Sequence, residues 1–468
     1  MTELSNPAFD SPARHDPTHP TYHFAPSKNW MNDPNGVIQW KGQYHLFYQY
    51  NPFGAYHDHM HWGHAVSDDL IRWRELNIAL APDAGTVDEG GIFSGCIVDN
   101  DGVPTAFYTG VNMGATVQRQ CMAVGDDALM VWRKYAGNPV IAAPPANARQ
   151  DTDFRDPFVW REDEYWYMAL GSRIEGVGGA VFLYRSINLV DWQYLNPLLV
   201  GDTARHGTMW ECPNFFSLGD KWVLIVSSHT GYATGNVFYF VGAYRDRRFY
   251  PEYEALLDSG QYYATLTQLD DQKRRLMWGW IRETRSAEQQ LAAGWSGVQA
   301  VPRVLSLDKH NRLLMSPVGE LDQLRTTLLV TRDDLPSLPV KLPGLALDVA
   351  VEFRIQGEQP CGIVVQDEQG ELLVSITYDP VLETLDVRHN PSANSDASHL
   401  HGKTHRLSER EPLTLRILFD GSVVEVIANG RTSITRRIYP TQVNALQLDV
   451  LEPGSITAIE VWEMSSIR

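Results

Sequence analysis

The chain has 468 residues, too many for one ordinary hydrophobic core, so two or more domains, or one large repeat fold with an addition, are expected. With 43 % hydrophobic and 11 % aromatic residues it has the composition of a packed globular protein and not of a disordered one. The net charge of −18 is spread without a polyacidic tail; it argues against nucleic acid or an anionic membrane surface as a partner and otherwise means solubility.

Met1 to Pro20 is polar and proline-rich, without the apolar core of a signal peptide or anchor, and no later run approaches a membrane span; a cytoplasmic location is expected. Cys96, Cys121, Cys212 and Cys361 are far apart, form no CxxC pair and read as free thiols of such a compartment. His57, His59, His61 and His64 cluster, but Asp58 is the sole acidic or cysteine neighbour at ligand spacing, so no metal is expected there.

From residue 30 to about 300 a helical period is almost absent, and short apolar-aromatic runs alternate with Gly, Asp and Asn turns, the pattern of antiparallel strands. Asp33-Pro34 leads into Gly36 to Trp40, a Lys41-Gly42 turn and Tyr44 to Tyr48. Arg155-Asp156-Pro157 opens a second such hairpin and Glu211-Cys212-Pro213 a third. Phe93 to Tyr108 and Gln261 to Trp280 are weaker copies. A second repeat lies between the hairpins: Ser67 to Trp73, Ser186 to Trp192, and Ala128 to Trp132 share a Leu-to-Trp spacing, and these tryptophans are expected to pack blades rather than bind ligand.

Five copies, roughly 50 to 60 residues apart, indicate a five-bladed β-propeller of four-stranded blades. The innermost strand of every blade faces the central channel, so the residues that open those strands converge at one rim. Asp33, Asp156 and Glu211 would then share a pocket although distant in sequence. After residue 315 the rhythm changes. Residues 316–338 read as a linker with a short helix, and 339–468 as an accessory β-sandwich following the all-β propeller of 1–315.

Converging carboxylates cannot all ionise freely, because like charge and burial raise a pKa. Glycoside hydrolysis needs such an arrangement, one carboxylate ionised and another protonated. Asp33, beside the Asn32 amide and a turn rich in N–H groups, is the candidate for the ionised partner. Glu211, flanked by Met209, Trp210 and Cys212, is the candidate for the protonated one, and Asp156 beside Arg155 is expected to stay ionised and grip sugar hydroxyls.

These residues carry a resemblance. NWMNDPNG (29–36), FYQYNP (47–52), HWGHAVSDDLIRW (61–73), FSG (93–95), FRDP (154–157), WECP (210–213), DSGQYYA (258–264) and GWSGVQAVPR (294–303) stand in the order found in glycoside hydrolase family 32, the β-fructofuranosidases. The chain resembles that family over essentially the whole propeller, and its last domain fits the family's β-sandwich. The resemblance implies a retaining mechanism on terminal β-D-fructofuranosyl units. Asp33 is then the nucleophile, Glu211 the acid/base and Asp156 the transition-state stabiliser, with Asn32, Gln49, Trp62, Phe93, Ser94, Arg155 and Trp295 lining the fructose pocket. It implies no metal and no organic cofactor.

Two positions depart from the family. His57 stands where many members have Trp, which bears on a stacking wall near the leaving group, and Cys96 replaces the last Ser of FSGS. Sucrose or short fructo-oligosaccharides are the expected substrates. A sucrose-6-phosphate hydrolase would need a basic patch, for which Arg119, Arg149, Arg173 and Arg205 are isolated candidates. A fructosyltransferase, an inverting five-bladed enzyme acting on arabinosides or xylosides, and a catalytically silent sugar-binding propeller are the competing readings. A homo-oligomer is left open.

Overall fold

A computed structural model describes residues 16–146, 148, 151–231, 233–389, 403–440 and 445–467. The reading of the first fifteen residues and of Arg149 falls outside them. Five sheets form the propeller and two six-stranded sheets form the sandwich. The inner strands of the blades are Asn29–Trp40, Gly91–Asn100, Phe154–Glu162, Met209–Leu218 and Tyr262–Leu269, and each runs antiparallel to the strand that follows it. Trp295–Ser296 is added in parallel on the edge of Asn29–Trp40 opposite Gln43–Asn51, through pairing with Asn29 and Trp30.

The Leu-to-Trp repeat is the turn from third to fourth strand. Leu70, Leu129 and Leu189 are buried with φ of 70°, 59° and 65°, while Asp69 and Asn188 accept backbone N–H groups across the turn. The indole N–H groups of Trp132 and Trp192 donate to Leu129 and Leu189 carbonyls at 3.1 and 2.9 Å. Each ring meets the neighbouring blade edge-on, Trp132 on Phe47 and Trp192 on Phe107. These tryptophans do pack blades.

All five inner strands carry a two-residue bulge near their start, at Asn32-Asp33, Phe93-Ser94, Asp156-Pro157, Cys212-Pro213 and Ala264-Thr265. A bulge bends the strand and re-aims its side chains. Asp156, Cys212 and Ala264 take φ of 63°, 47° and 49° there. Gly36 in the first strand takes φ 49°, and a Cβ there would come within 2.6 Å of Ile97.

The first sandwich sheet joins Arg325–Val330, Ile456–Met464, Ala346–Phe353, Leu413–Asp420, Val423–Ala428 and Thr432–Arg437. Its last two strands are buried at every position, because one face covers the sandwich core and the other meets the propeller.

Candidate active site

One cavity of about 700 Å³ opens where the inner strands begin, and Asp33, Asp156 and Glu211 all line it. They do not hold equivalent positions, contrary to the triple repeat read from sequence. Glu211 is the last paired residue before its bulge, Asp156 the first bulged residue of its own strand, and Asp33 the second. The counterpart of Asp156 in the fourth blade is Cys212, and that of Glu211 in the third is Arg155.

Asp33 is half-buried among donors. Ser94 Oγ donates to Oδ2 at 2.5 Å and Asn32 Nδ2 to Oδ1 at 2.9 Å. Asn32 is itself fixed by the Trp30 indole N–H on its side chain at 2.7 Å and by Gln299 on its carbonyl at 2.6 Å. Cys212 Sγ lies 3.6 Å from Asp33 and 3.5 Å from Asp156, between the two carboxylates. Asp156 accepts the Cys212 N–H at 2.9 Å and its own N–H donates to Thr109 of the second blade, so the bulges are tied blade to blade.

Glu211 is the most strongly held. Arg155 reaches its Oε1 through Nε at 2.9 Å and Nη2 at 2.8 Å, His229 Nε2 is 2.6 Å from Oε2, and Tyr263 Oη donates to Oε2 at 2.7 Å. The expected protonation order is therefore reversed in the free site. Burial pushes the Glu211 carboxyl up, but Arg155, His229 and Tyr263 together outweigh it and hold the group well below its ordinary range. Burial first and the Glu211 charge second raise Asp33 to about 6. The same two causes raise Asp156 to about 7 against the pull of Arg155. Sequence neighbours misled here: Trp210 turns its indole to the His206 carbonyl and Phe240, away from the cavity, and Arg155, the neighbour of Asp156, hydrogen-bonds across to Glu211.

This has a consequence for stability. Asp156 is raised from 3.8 to about 7, so between those values the folded chain holds a proton that the unfolded chain has released. Stability from that protonation is present below the lower value and lost as pH rises through the upper one. Asp156→Asn keeps an acceptor for the Cys212 N–H. It is expected to raise the thermal midpoint by several degrees at about pH 8 and to change it little at about pH 4.5, as read by calorimetry.

Of the other expected lining residues, Asn32, Gln49, Phe93, Ser94 and Arg155 do face the cavity. Trp62 and Trp295 do not. Trp62 is buried behind the wall, its N–H donating to the Phe93 carbonyl at 3.0 Å. Trp295 is caged by His19 and Arg285 and donates to Asp16 at 2.9 Å. Trp280 supplies the indole wall instead, packed on Trp30 and Tyr263. His57 stands at the cavity, edge-on to Trp30 and Phe93, and Cys96 is buried beyond it, accepting the Val159 N–H at 3.2 Å.

His229, Tyr263 and Trp280 were missed as site residues. The polar Ser227-Ser228-His229-Thr230 run closing an apolar strand was the signal for the first. Of the isolated arginines, Arg173 lines the cavity and pairs with Asp153 at 2.8 Å; Arg119 pairs with Asp151 and Arg205 with Glu254 elsewhere. Among the described residues, no group of three or more His, Cys, Asp or Glu could hold a metal ion. No described helix is long and apolar enough to cross a membrane.

Comparison with known proteins bears on the same residues. The chain is 39 % identical to sucrose-6-phosphate hydrolase of Zymomonas mobilis, over 90 % of its length and 87 % of the relative's. It is 33 % identical to an acid beta-fructofuranosidase of Vicia faba, over 95 % and 80 %. The crystal structure of fructan 1-exohydrolase IIa from Cichorium intybus superposes with a TM-score of 0.82 at 27 % identity, covering 96 % of this chain and 98 % of that one. Residues 23–317 match the model of the glycosyl hydrolases family 32 N-terminal domain, and residues 320–463 that of the family's C-terminal domain. With the acids in one cavity of a five-bladed propeller and both family domains accounted for, the chain belongs to glycoside hydrolase family 32.

Proposed function

We propose that the protein is a retaining β-fructofuranosidase that releases terminal fructosyl units from sucrose or short fructo-oligosaccharides. The observation that carries this is the convergence of Asp33, Asp156 and Glu211 in one cavity, with two donors on Asp33 that fix its direction. Asp33 attacks the anomeric carbon while Glu211 gives its proton to the leaving oxygen. Glu211 then takes a proton from water, which releases fructose from the covalent ester.

This chemistry needs the cluster's proton on Glu211, whereas the free site favours Asp156. Substrate supplies the shift. Fructosyl hydroxyls donating to Asp156 favour its ionised form, and the proton then resides on Glu211 beside the leaving oxygen.

Among the described residues, the lysines and arginines lining the cavity are Arg155 and Arg173, and both engage carboxylates, Glu211 and Asp153. That supports a neutral leaving sugar over a phosphorylated one. All lining residues belong to the propeller, which supports residues 1–315 as the catalytic domain; the strand Arg325–Val330 pairs within the sandwich sheet, so the accessory domain is drawn to begin inside the expected 316–338 linker and not at 339. Four buried free thiols support a cytoplasmic location. The test is fructose release from sucrose, sucrose-6-phosphate, 1-kestose, inulin and levan. Sucrose and 1-kestose are expected to give the highest kcat/KM. A higher value on sucrose-6-phosphate overturns the neutral-substrate reading, and binding without cleavage overturns the enzyme.

A further inference from the structure

The central channel has a second mouth. Where the inner strands end, a cavity of about 570 Å³ is lined by residues 37–40, 96–99, 158–162, 215–217 and 266–269 together with Trp166, Trp222 and Arg275. It shares no lining residue with the catalytic cavity, and nothing in the proposed chemistry uses it.

Its polar groups are poorly matched by the protein itself. Gln268 is 8 % exposed, yet both atoms of its side-chain amide are buried without a hydrogen-bond partner among the described residues. The Thr267 hydroxyl, on a residue 4 % exposed, is in the same position. The Arg275 guanidinium carbon sits over the Phe216 ring at 4.6 Å, its Nε is unpartnered, and it forms no ion pair among the described residues. Burial lowers its pKa to about 10, with no carboxylate opposing.

The carboxylates of this mouth are committed elsewhere. Glu162 takes the Trp160 indole N–H at 2.7 Å and pairs with Arg247, and Asp99 accepts the Gly102 N–H at 2.6 Å in its turn. A desolvated guanidinium without a counter-ion is costly, and a planar oxyanion matches its fork. The partly exposed faces of Trp160 and Trp222 add flat apolar surface that suits a ring.

We propose that this second mouth binds a small polyhydroxylated compound bearing one oxyanion, a sugar phosphate or a sugar acid. Arg275 holds the oxyanion, Gln268 and Thr267 take hydroxyls, and Trp160 and Trp222 cover the ring. This assignment does not rest on the proposed substrate of the catalytic cavity.

Isothermal titration calorimetry tests it on the whole protein with fructose saturating the catalytic cavity. Glucose 6-phosphate, gluconate, sorbitol and inorganic phosphate are injected in turn. Glucose 6-phosphate or gluconate is expected to bind with Kd below about 1 mM, at least about tenfold tighter than sorbitol or inorganic phosphate. The tighter of the two names the anion. Arg275→Met and Gln268→Leu should each weaken that binding about tenfold, with sucrose hydrolysis within about twofold of wild type. Absence of heat from both anionic sugars overturns the proposal. So does inorganic phosphate binding as tightly as they do, or Arg275→Met leaving their affinity unchanged.

Discussion

Asp33→Asn is expected to lower kcat on sucrose by at least about 10⁴-fold while the protein stays folded. Asparagine has the shape of aspartate and still accepts from Ser94, so the cavity wall persists while the nucleophile and the hydrogen bond from Asn32 are lost. Burial and the Glu211 charge already disfavour the Asp33 carboxylate, so the neutral side chain should not lower the thermal midpoint at about pH 7. Glu211→Gln is distinguished by its leaving-group dependence. Sucrose, whose leaving alkoxide needs a proton, should lose about 10²- to 10⁴-fold, and an aryl fructoside with an acidic phenol far less in the first step. More than about 1 % of wild-type kcat in Asp33→Asn would sink the nucleophile assignment.

The same cluster fixes a pH profile. Three carboxylates holding one proton form the reactive state. A second proton enters with the Asp33 value of about 6, and the last leaves with the Asp156 value of about 7. The profile of kcat/KM should therefore be a narrow bell between these values, its limbs belonging to the cluster and not to one residue. Asp156→Asn should move the alkaline limb.

The propeller was legible because its signals are local and repeated. Hairpins recur at near-constant spacing, three of them opened by a carboxylate, and the Leu-to-Trp turns mark the return strands. The acids proposed for catalysis were picked out by the openings of three of these hairpins. Their electrostatics were not, because the partners of Glu211 come from three strands in three blades: Arg155, His229 and Tyr263. Trp62 and Trp295 failed for a related reason. An aromatic residue in a motif is as apt to brace the wall as to form it, and strand offset decides which. The bulges, where register slips by one residue, are also where inference from spacing is weakest.

The seam between the domains holds the other large effect. Glu425→Gln is expected to destabilise the protein by about 3–5 kcal/mol, because it leaves buried positive charge without its anion. Glu425 pairs with Arg303, lies 2.9 Å from His23 Nε2 and accepts the Val301 N–H at 2.9 Å, and it is 1 % exposed. His23 also donates to Asp420, whose carboxylate takes the N–H groups of Thr21, Tyr22 and His23 at 2.6, 2.8 and 2.6 Å. One imidazole between two carboxylates must carry both protons. Burial opposes that, but the two hydrogen bonds and two charges prevail and raise His23 to about 9. Burial likewise opposes the Glu425 charge, yet Arg303 and His23 hold its carboxyl at about 2. The His23 contribution is therefore complete below its ordinary 6.5 and lost as pH rises through about 9, and the Glu425 contribution is complete above 4.5 and lost as pH falls through about 2. The wild-type advantage over Glu425→Gln, measured by urea unfolding, should peak between about 4.5 and 6.5. Arg303→Met with Glu425→Met should recover much of the loss, whereas Glu368→Gln, at an exposed pair with Lys341, should cost no more than about 1 kcal/mol. A Glu425→Gln protein as stable as wild type across that window would show that the seam stands on apolar packing alone.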